Sequence, residues 1–435
     1  MRKIWLLIAS CYFYMVFKPV YLIILIAVIL IDFYAGIQIE KSKNNKRSWL
    51  ILSLISNIGI LVFYKYFNFL NENITQLLGY FHIQNNIPVL DIILPIGLSF
   101  HTFQAMSYTI EVYRGKQKAE KNILNYSLYV LYFPQLVAGP IERPQHLLPQ
   151  LKNPIYFHYS NVIEGLFRIA CGFFKKVVIA DRLALFVDPV YDHIYTSNGL
   201  SVLFATIFFA FEIYCDFSGY TDIAIGVSRM MRINLVENFR NPYSSVSLHE
   251  FWGRWHISLS GWFRDYVYIP LGGNRAGQLR WIFNLLLVFF LSGLWHGARW
   301  NYVIWGLLHG SMLIIENSLQ KQIKIKLPAI FKIIIVFTCV CFAWIFFRVK
   351  VVDEAFTAIG HILHLSINND LPNIFNSTEL IFSFLLITGL LFTETVVKIT
   401  DFKNHTLIMS ITLILFLLSY FLGEFNFKQF IYFQF

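Results

Sequence analysis

The run VYLIILIAVILIDFYAGI, residues 20–37, carries a single charged side chain, Asp32. About 20 consecutive apolar residues make a helix long enough to cross the hydrocarbon core of a bilayer. A stretch of this length and composition therefore reads as a transmembrane helix. Comparable runs recur along the chain: Trp49–Phe69, Leu90–Tyr113, Leu200–Phe217, Trp281–Trp295, Tyr302–Ile315, Ile330–Phe347, Leu380–Val397 and Leu407–Leu422. Ile4–Phe17, Ile123–Val137 and Val162–Phe186 are shorter or more polar candidates. The pattern predicts an all-α polytopic protein with about 10–12 spans.

Composition agrees. Of 435 residues, 57% are apolar and only 14% charged, where a soluble domain carries about a quarter charged residues. The 44 Phe, 24 Tyr and 10 Trp suit a lipid-facing surface with aromatic interfacial belts. Cys11, Cys171, Cys215, Cys339 and Cys341 all lie in apolar stretches, with no CxxC pair and no histidine at metal-ligand spacing. They read as small buried hydrophobes, and no metal site is expected. Arg2 and Lys3 before an apolar run resemble a signal peptide, but no small-residue cleavage site follows and a second span does. A retained first helix is expected. No segment reads as a separate soluble domain, so residues 1–435 are expected to form one membrane domain.

The net charge is +10, and its placement sets the orientation. Lys41, Lys43, Lys46 and Arg47 form one basic cluster, and Arg114, Lys116, Lys118 and Lys121 another. The intervening loop Asn71–Asn86 has no Lys or Arg. Two spans separate the clusters, so both should be cytoplasmic. Single cysteines at Lys43 and Lys118, in a cysteine-free background, should resist a membrane-impermeant thiol reagent in intact cells and react after lysis. Labelling of either in intact cells reverses the orientation.

Tyr243–Gly273 is rich in Trp and Arg and holds His249, Glu250, Arg254, His256, Arg264 and Asp265. It is too polar to face lipid. It either lines a watery cavity within the protein or forms an exposed loop.

Two of the twelve histidines sit in unusual company. His296 ends an apolar span in LSGLWHGA, residues 291–298, and His256 lies in FWGRWHISLS, residues 251–260. An intramembrane histidine is costly and is a functional candidate. It titrates near neutrality, so it can take a proton from an alcohol and return it to a thiolate. The alternative at each position is a structural histidine bonded to a neighbouring carbonyl. His309, in WGLLHG, residues 305–310, is more simply structural. Gly293 and Gly297 flank Trp295-His296, leaving room for a second helix or for a substrate.

Asp216, Ser218 and Asp222 end another apolar span, and there they bind a cation, hold a histidine, cap a helix or pair with Arg229 or Arg232. The structural uses are favoured. FPQLVAGPIERP, residues 133–144, contains three prolines, which break helices, so a re-entrant turn or bent element is expected. No Walker loop, G-x-S-x-G elbow, H-E-x-x-H or dinucleotide fingerprint occurs. This argues against ATP-driven transport and serine-hydrolase chemistry.

Taken together, LPIGLSFHTFQ (94–104), Phe133–Pro144, Tyr214–Gly226, FRNPY (239–243), Trp252–Gly273, Gly293–Gly310 and FAWIFFR (342–348) run in order across most of the chain. In this the chain resembles the membrane-bound O-acyltransferases, and within them the bacterial alginate O-acetylation type, related to the teichoic-acid D-alanyl transfer proteins. The resemblance implies a bundle of about eleven spans with short re-entrant helices around a central tunnel. It implies an O-acetyltransferase of the inner (cytoplasmic) membrane that modifies an exported cell-envelope polysaccharide. It places the catalytic histidine at His296 and a second family histidine at His256. Arg264, Asp265, Trp295 and Asn301 are further residues expected to line the substrate path. No bound cofactor is implied. The donor would be a cytosolic thioester, acetyl-CoA or an acylated carrier. The lipid membrane and the polysaccharide acceptor are implied partners, as is a separate extracytoplasmic protein of the SGNH-hydrolase-like type; nucleic acid is not. Two rival readings are a transporter or flippase for the polysaccharide or its lipid-linked precursor, and a non-catalytic membrane scaffold of an acetylation complex. The first leaves the Trp-His-Gly-Ala context unexplained, and broken-helix repeats are not evident.

Overall fold

The computed structural model describes residues 1–154, 156–275, 277–322, 327–364, 377–396, 404–425 and 430–431. The only regular secondary structure among these residues is helix, with no strand. They fall into two compact units, residues 1–158 with 227–236, and residues 159–226 with 237–435. Seven helical stretches are long and apolar enough to cross a membrane: Tyr21–Lys41, Lys46–Tyr80, Gly199–Met230, Gln278–His296, Ala329–Arg348, Thr378–Thr395 and His405–Leu422. Val397, the expected end of one span, lies outside the described residues.

The first unit contains α1 (Arg2–Met15), α2 (Tyr21–Lys41), α3 (Lys46–Leu61), α4 (Phe67–Tyr80), α5 (Leu98–Tyr113), α6 (Ile123–Leu131) and α7 (Pro144–Lys152). A π-helical turn, Val62–Tyr66, joins α3 to α4 without a break. The apolar run from Leu90 to Tyr113 forms helix only from Leu98. Pro95 has no N–H to give, and Gly97 turns the chain with φ +73°, where a Cβ would stand 2.6 Å from the Leu136 carbonyl oxygen. Helices α2, α3 and α5 pack on one another around Asp32. Its carboxylate accepts from the Ser53 hydroxyl at 2.6 Å and the Asn57 amide at 2.8 Å, which removes the cost of a bare buried acid. Residues 133–143 are non-helical and mostly buried, as the prolines require.

The second unit contains α8 (Tyr159–Phe173), α9 (Asp181–Asp192), α10 (Gly199–Met230, whose last residues 227–230 fall in the first unit), α11 (Leu248–Arg254), α12 (Ile257–Phe263), α13 (Gln278–His296), α14 (Trp300–Gln322), α15 (Ala329–Arg348), α16 (Val352–His364), α17 (Ser377–Val396) and α18 (His405–Leu422). Two crossings are set by small residues, which let backbones approach. A Cβ on Gly219 would stand 2.8 Å from the Gly172 carbonyl oxygen, and one on Gly226 would stand 2.6 Å from that of Gly165, so α10 lies against α8 at backbone contact. Likewise a Cβ on Gly306 would stand 2.1 Å from the Phe289 carbonyl oxygen, and one on Gly293 would stand 2.3 Å from that of Tyr302. Helices α13 and α14 are thus locked together. Gly306→Ala must push them apart. We expect it to cost about 1–3 kcal/mol, read as a lower melting temperature in detergent, while Ala at Gly360, where a Cβ meets nothing within 4 Å, leaves melting unchanged.

The α8–α10 crossing also holds buried charge. Arg168 donates to Asp222 at 2.9 Å and grips both oxygens of Glu237 at 2.7 and 2.6 Å. Lys175 reaches Asp222 at 3.0 Å, and Lys176 bridges Asp216 and Asp181 at 2.7 and 2.8 Å. The acids of α10 therefore pair with cations of α8 and the π-helical turn Phe174–Ala180, in the favoured structural role but with other partners than Arg229 and Arg232. Because Asp216 and Asp222 are neutralised within the protein, α10 runs on to Met230 rather than ending near Phe217.

Candidate active site

His256 occupies a sharp junction between two short helices. Helix α11 is started by Ser247, whose hydroxyl accepts from the Glu250 N–H at 3.0 Å, the usual service of a serine N-cap. It stops at Arg254. Trp255 is extended and fully buried, stacked on Phe251 at 5.7 Å and tilted against Trp344 at 5.1 Å. With Trp255 so anchored, the chain re-enters α12 through His256 in the left-handed region, at φ 44° and ψ 53°. A non-glycine residue held there stores about 1–3 kcal/mol of strain, and such strain clusters at functional sites.

Asn238 holds the junction. Its carbonyl accepts from the Ile257 N–H at 2.9 Å. Its side-chain oxygen accepts from the Ser258 N–H at 3.2 Å and lies 3.1 Å from His256 Nδ1. A backbone N–H can only donate, so the Asn238 atom is the amide oxygen, and Nδ1 of His256 must carry the proton. The neutral ring then keeps its basic lone pair on Nε2.

His296 is the last residue of α13, after which Gly297 is extended with φ −168°. A Cβ on Gly297 would stand 2.2 Å from the Tyr302 ring, so only glycine lets Tyr302 close over the helix end. His296 is 2% exposed and His256 is fully buried. The His296 ring meets Trp295 at 5.0 Å, Trp305 at 4.9 Å and Phe347 at 5.3 Å, all edge to face. The two imidazole centroids lie 6.5 Å apart, with Trp295 also 5.8 Å from His256.

Residues 40 positions apart in sequence thus meet in one aromatic chamber of the second unit. Trp295 is part of it. Asn301 is buried, and its amide donates to the carbonyls of Phe346 and Val349 at 3.1 and 2.8 Å, tying α14 to the end of α15. Arg264 and Asp265 pair with each other at 2.9 Å in the π-helical turn Arg264–Tyr268, with 65% of the Arg264 side chain exposed. Asn238 was not singled out by sequence reading, although it stands one residue before FRNPY; nor were Trp305 and Phe347, which lie in motifs noted for other residues. Trp305 and Phe347 lie inside stretches read as spans, and Asn238 lies between two of them.

The model of the family described as MBOAT, membrane-bound O-acyltransferase, matches residues 100–352. The chain belongs to that family. It is 35% identical to the peptidoglycan O-acetyltransferase of Helicobacter pylori, over 84% of this chain and 74% of that one. It is 39% identical to the probable alginate O-acetylase AlgI of Pseudomonas aeruginosa, over 80% of this chain and 67% of that one. It is 31% identical to the teichoic acid D-alanyltransferase of Bacillus subtilis, over 62% of this chain and 72% of that one. The MBOAT match includes both histidines, Asn238 and Trp305.

Proposed function

We propose that this acyltransferase carries an acetyl group from a cytosolic thioester to hydroxyls of an exported cell-envelope polysaccharide, with His296 as general base and His256 as its companion. The observation that carries the reading is the 6.5 Å separation of the two buried imidazoles. A base must reach about 2.6–3.2 Å to the atom whose proton it takes. One hydroxyl oxygen between the rings can therefore touch both. Only one ring can take the single hydroxyl proton; His256, with its own proton fixed on Nδ1 by Asn238, positions the substrate from the opposite side. His296 takes the hydroxyl proton, the oxygen forms its bond to the acyl carbon, the C–S bond breaks, and the proton passes to the departing thiolate. The aromatic walls keep water from competing for the thioester.

Envelope glycans fit because the named relatives act on peptidoglycan, alginate and teichoic acid. In this reading residues 1–435 form one acyltransferase domain of the cytoplasmic membrane. It has about eleven spans and re-entrant helices around a tunnel, with Arg264, Asp265, Trp295 and Asn301 along the substrate path. The donor is acetyl-CoA or an acylated carrier. An SGNH-hydrolase-like protein outside completes delivery, since a product formed inside the membrane must still reach a polymer beyond it. The test is to incubate purified full-length protein with acetyl-labelled acetyl-CoA and envelope polysaccharide as the hydroxyl acceptor, and follow loss of label from the thioester. Steady thiol release supports the reading. None, with either acetyl-CoA or an acetylated carrier, rejects it in favour of a scaffold or transporter.

A further inference from the structure

Beside His296 lies a group of buried hydrogen-bonding atoms that the packing does not use. Trp305 and His309 are both fully buried, one turn apart on α14. The indole N–H of Trp305 and both ring nitrogens of His309 have no hydrogen-bond partner among the described residues, and the same holds for the indole N–H of Trp252. The three rings touch: Trp305 lies 5.1 Å from His309, and Trp252 lies 4.9 Å from His309 and 5.9 Å from Trp305. Burying such a group unsatisfied costs about 1–3 kcal/mol, and native folds rarely tolerate it without a reason. Phenylalanine at each position would fill an aromatic box without that cost.

The position of Trp305 suggests the reason. Its ring stands edge to face on His296 at 4.9 Å. Its backbone is fixed by the neighbouring Gly306, pressed onto the Phe289 carbonyl of the helix that carries His296. An acyl carbon attacked by an oxygen at His296 therefore forms next to Trp305, whose ring in turn touches His309. Donors about 2.7–3.1 Å from a developing oxyanion are the main source of acyl-transfer catalysis, and they act most strongly in a dry site.

We propose that Trp305 and His309 form the oxyanion site of this acyltransferase. The assignment rests on the acyl-transfer reading above and deepens it. As the acceptor oxygen bonds to the acyl carbon and its proton passes to His296, the carbonyl electron pair moves onto the carbonyl oxygen. The Trp305 N–H and a ring N–H of His309 donate to that oxygen. When the pair returns, the C–S bond breaks and the thiolate leaves with the proton from His296.

The test measures thiol release from acetyl-CoA, with envelope polysaccharide supplied as acceptor, by the full-length protein in nanodiscs, as kcat and KM, alongside thermal melting. Trp305→Phe keeps the ring and removes the N–H. We expect kcat to fall about 10²–10³-fold with little change in KM and a melting temperature no lower than wild type, because the lost contact belongs to the transition state alone. His309→Phe should behave alike, and His309→Gln, which restores an amide N–H, should recover most of the loss. Wild-type kcat in Trp305→Phe and His309→Phe overturns the assignment. So does a fall in kcat that follows loss of melting temperature and is equal in His309→Phe and His309→Gln. Absence of thiol release by wild-type protein overturns the acyl-transfer reading itself, and the oxyanion site with it.

Discussion

Replacing His296 with alanine should abolish acyl transfer, and replacing it with glutamine should do so just as fully. General-base help is worth about 10²–10⁴-fold. Glutamine keeps size and hydrogen bonding but exchanges no proton near neutrality. The chamber makes this comparison sharp. The imidazole is enclosed by Trp295, Trp305 and Phe347, so alanine leaves a void where glutamine fills it. A purely structural histidine therefore predicts the opposite order: glutamine tolerated, alanine lowering both stability and activity. The readout is O-acetyl content of envelope polysaccharide in cells carrying each variant, normalised to membrane-inserted protein. Substantial acetylation by a well-inserted glutamine variant would remove His296 as the base.

The second large effect concerns His256. Here the backbone supplies the control. Glycine and asparagine adopt the left-handed conformation at little cost, so His256→Gly and His256→Asn relieve strain as they remove the imidazole. We expect both to insert, with His256→Asn, which keeps a side chain in the turn, melting nearest to wild type, yet both to lose about 10²-fold or more of the acylation rate, at the low end of acid–base effects. His256→Ala also loses acylation, and it keeps the strain while forfeiting the bond to Asn238, so it should melt lowest of the three. Glycine or asparagine variants that retain wild-type acylation would reduce His256 to the residue that turns the chain between α11 and α12.

Much of this was legible beforehand. Runs such as Val20–Ile37 and Leu407–Leu422 became helices almost as read, because in an apolar setting the backbone has no alternative to bonding itself. His256 and His296 stood out by their Trp-His setting, and the structure brings their rings together. Other features left no local trace. Leu90–Tyr113 has the composition of a span, but a single positive-φ glycine decides that its first part is not helical. The apolar run Leu200–Phe217 stops one residue past Asp216, since no pattern within α10 reveals that Lys176, 40 residues upstream, neutralises that acid. Asn238 is one asparagine among many until the chain returns His256 to it. Pairings of that kind depend on which helices meet, and hydropathy carries no record of which helices meet.

The ion cluster between α8 and α10 has a consequence for how the protein is made. Helix α10 contributes Asp216 and Asp222, while α8 and the turn after it contribute Arg168, Lys175 and Lys176. Moved into lipid alone, either element would carry charges that oppose partition, at about 2.5–3.5 kcal/mol for each one at mid-membrane. Brought in together, and with Asp181 and Glu237 beside them, they are paired. Membrane integration here is then a cooperative event: the ribosome must have delivered α10 before α8 has a comfortable place to rest. Removing both Asp216 and Asp222 would take from Arg168, Lys175 and Lys176 their partners on α10, and the defect would surface during biosynthesis, as nascent chain degraded by quality control, before any question of turnover could arise.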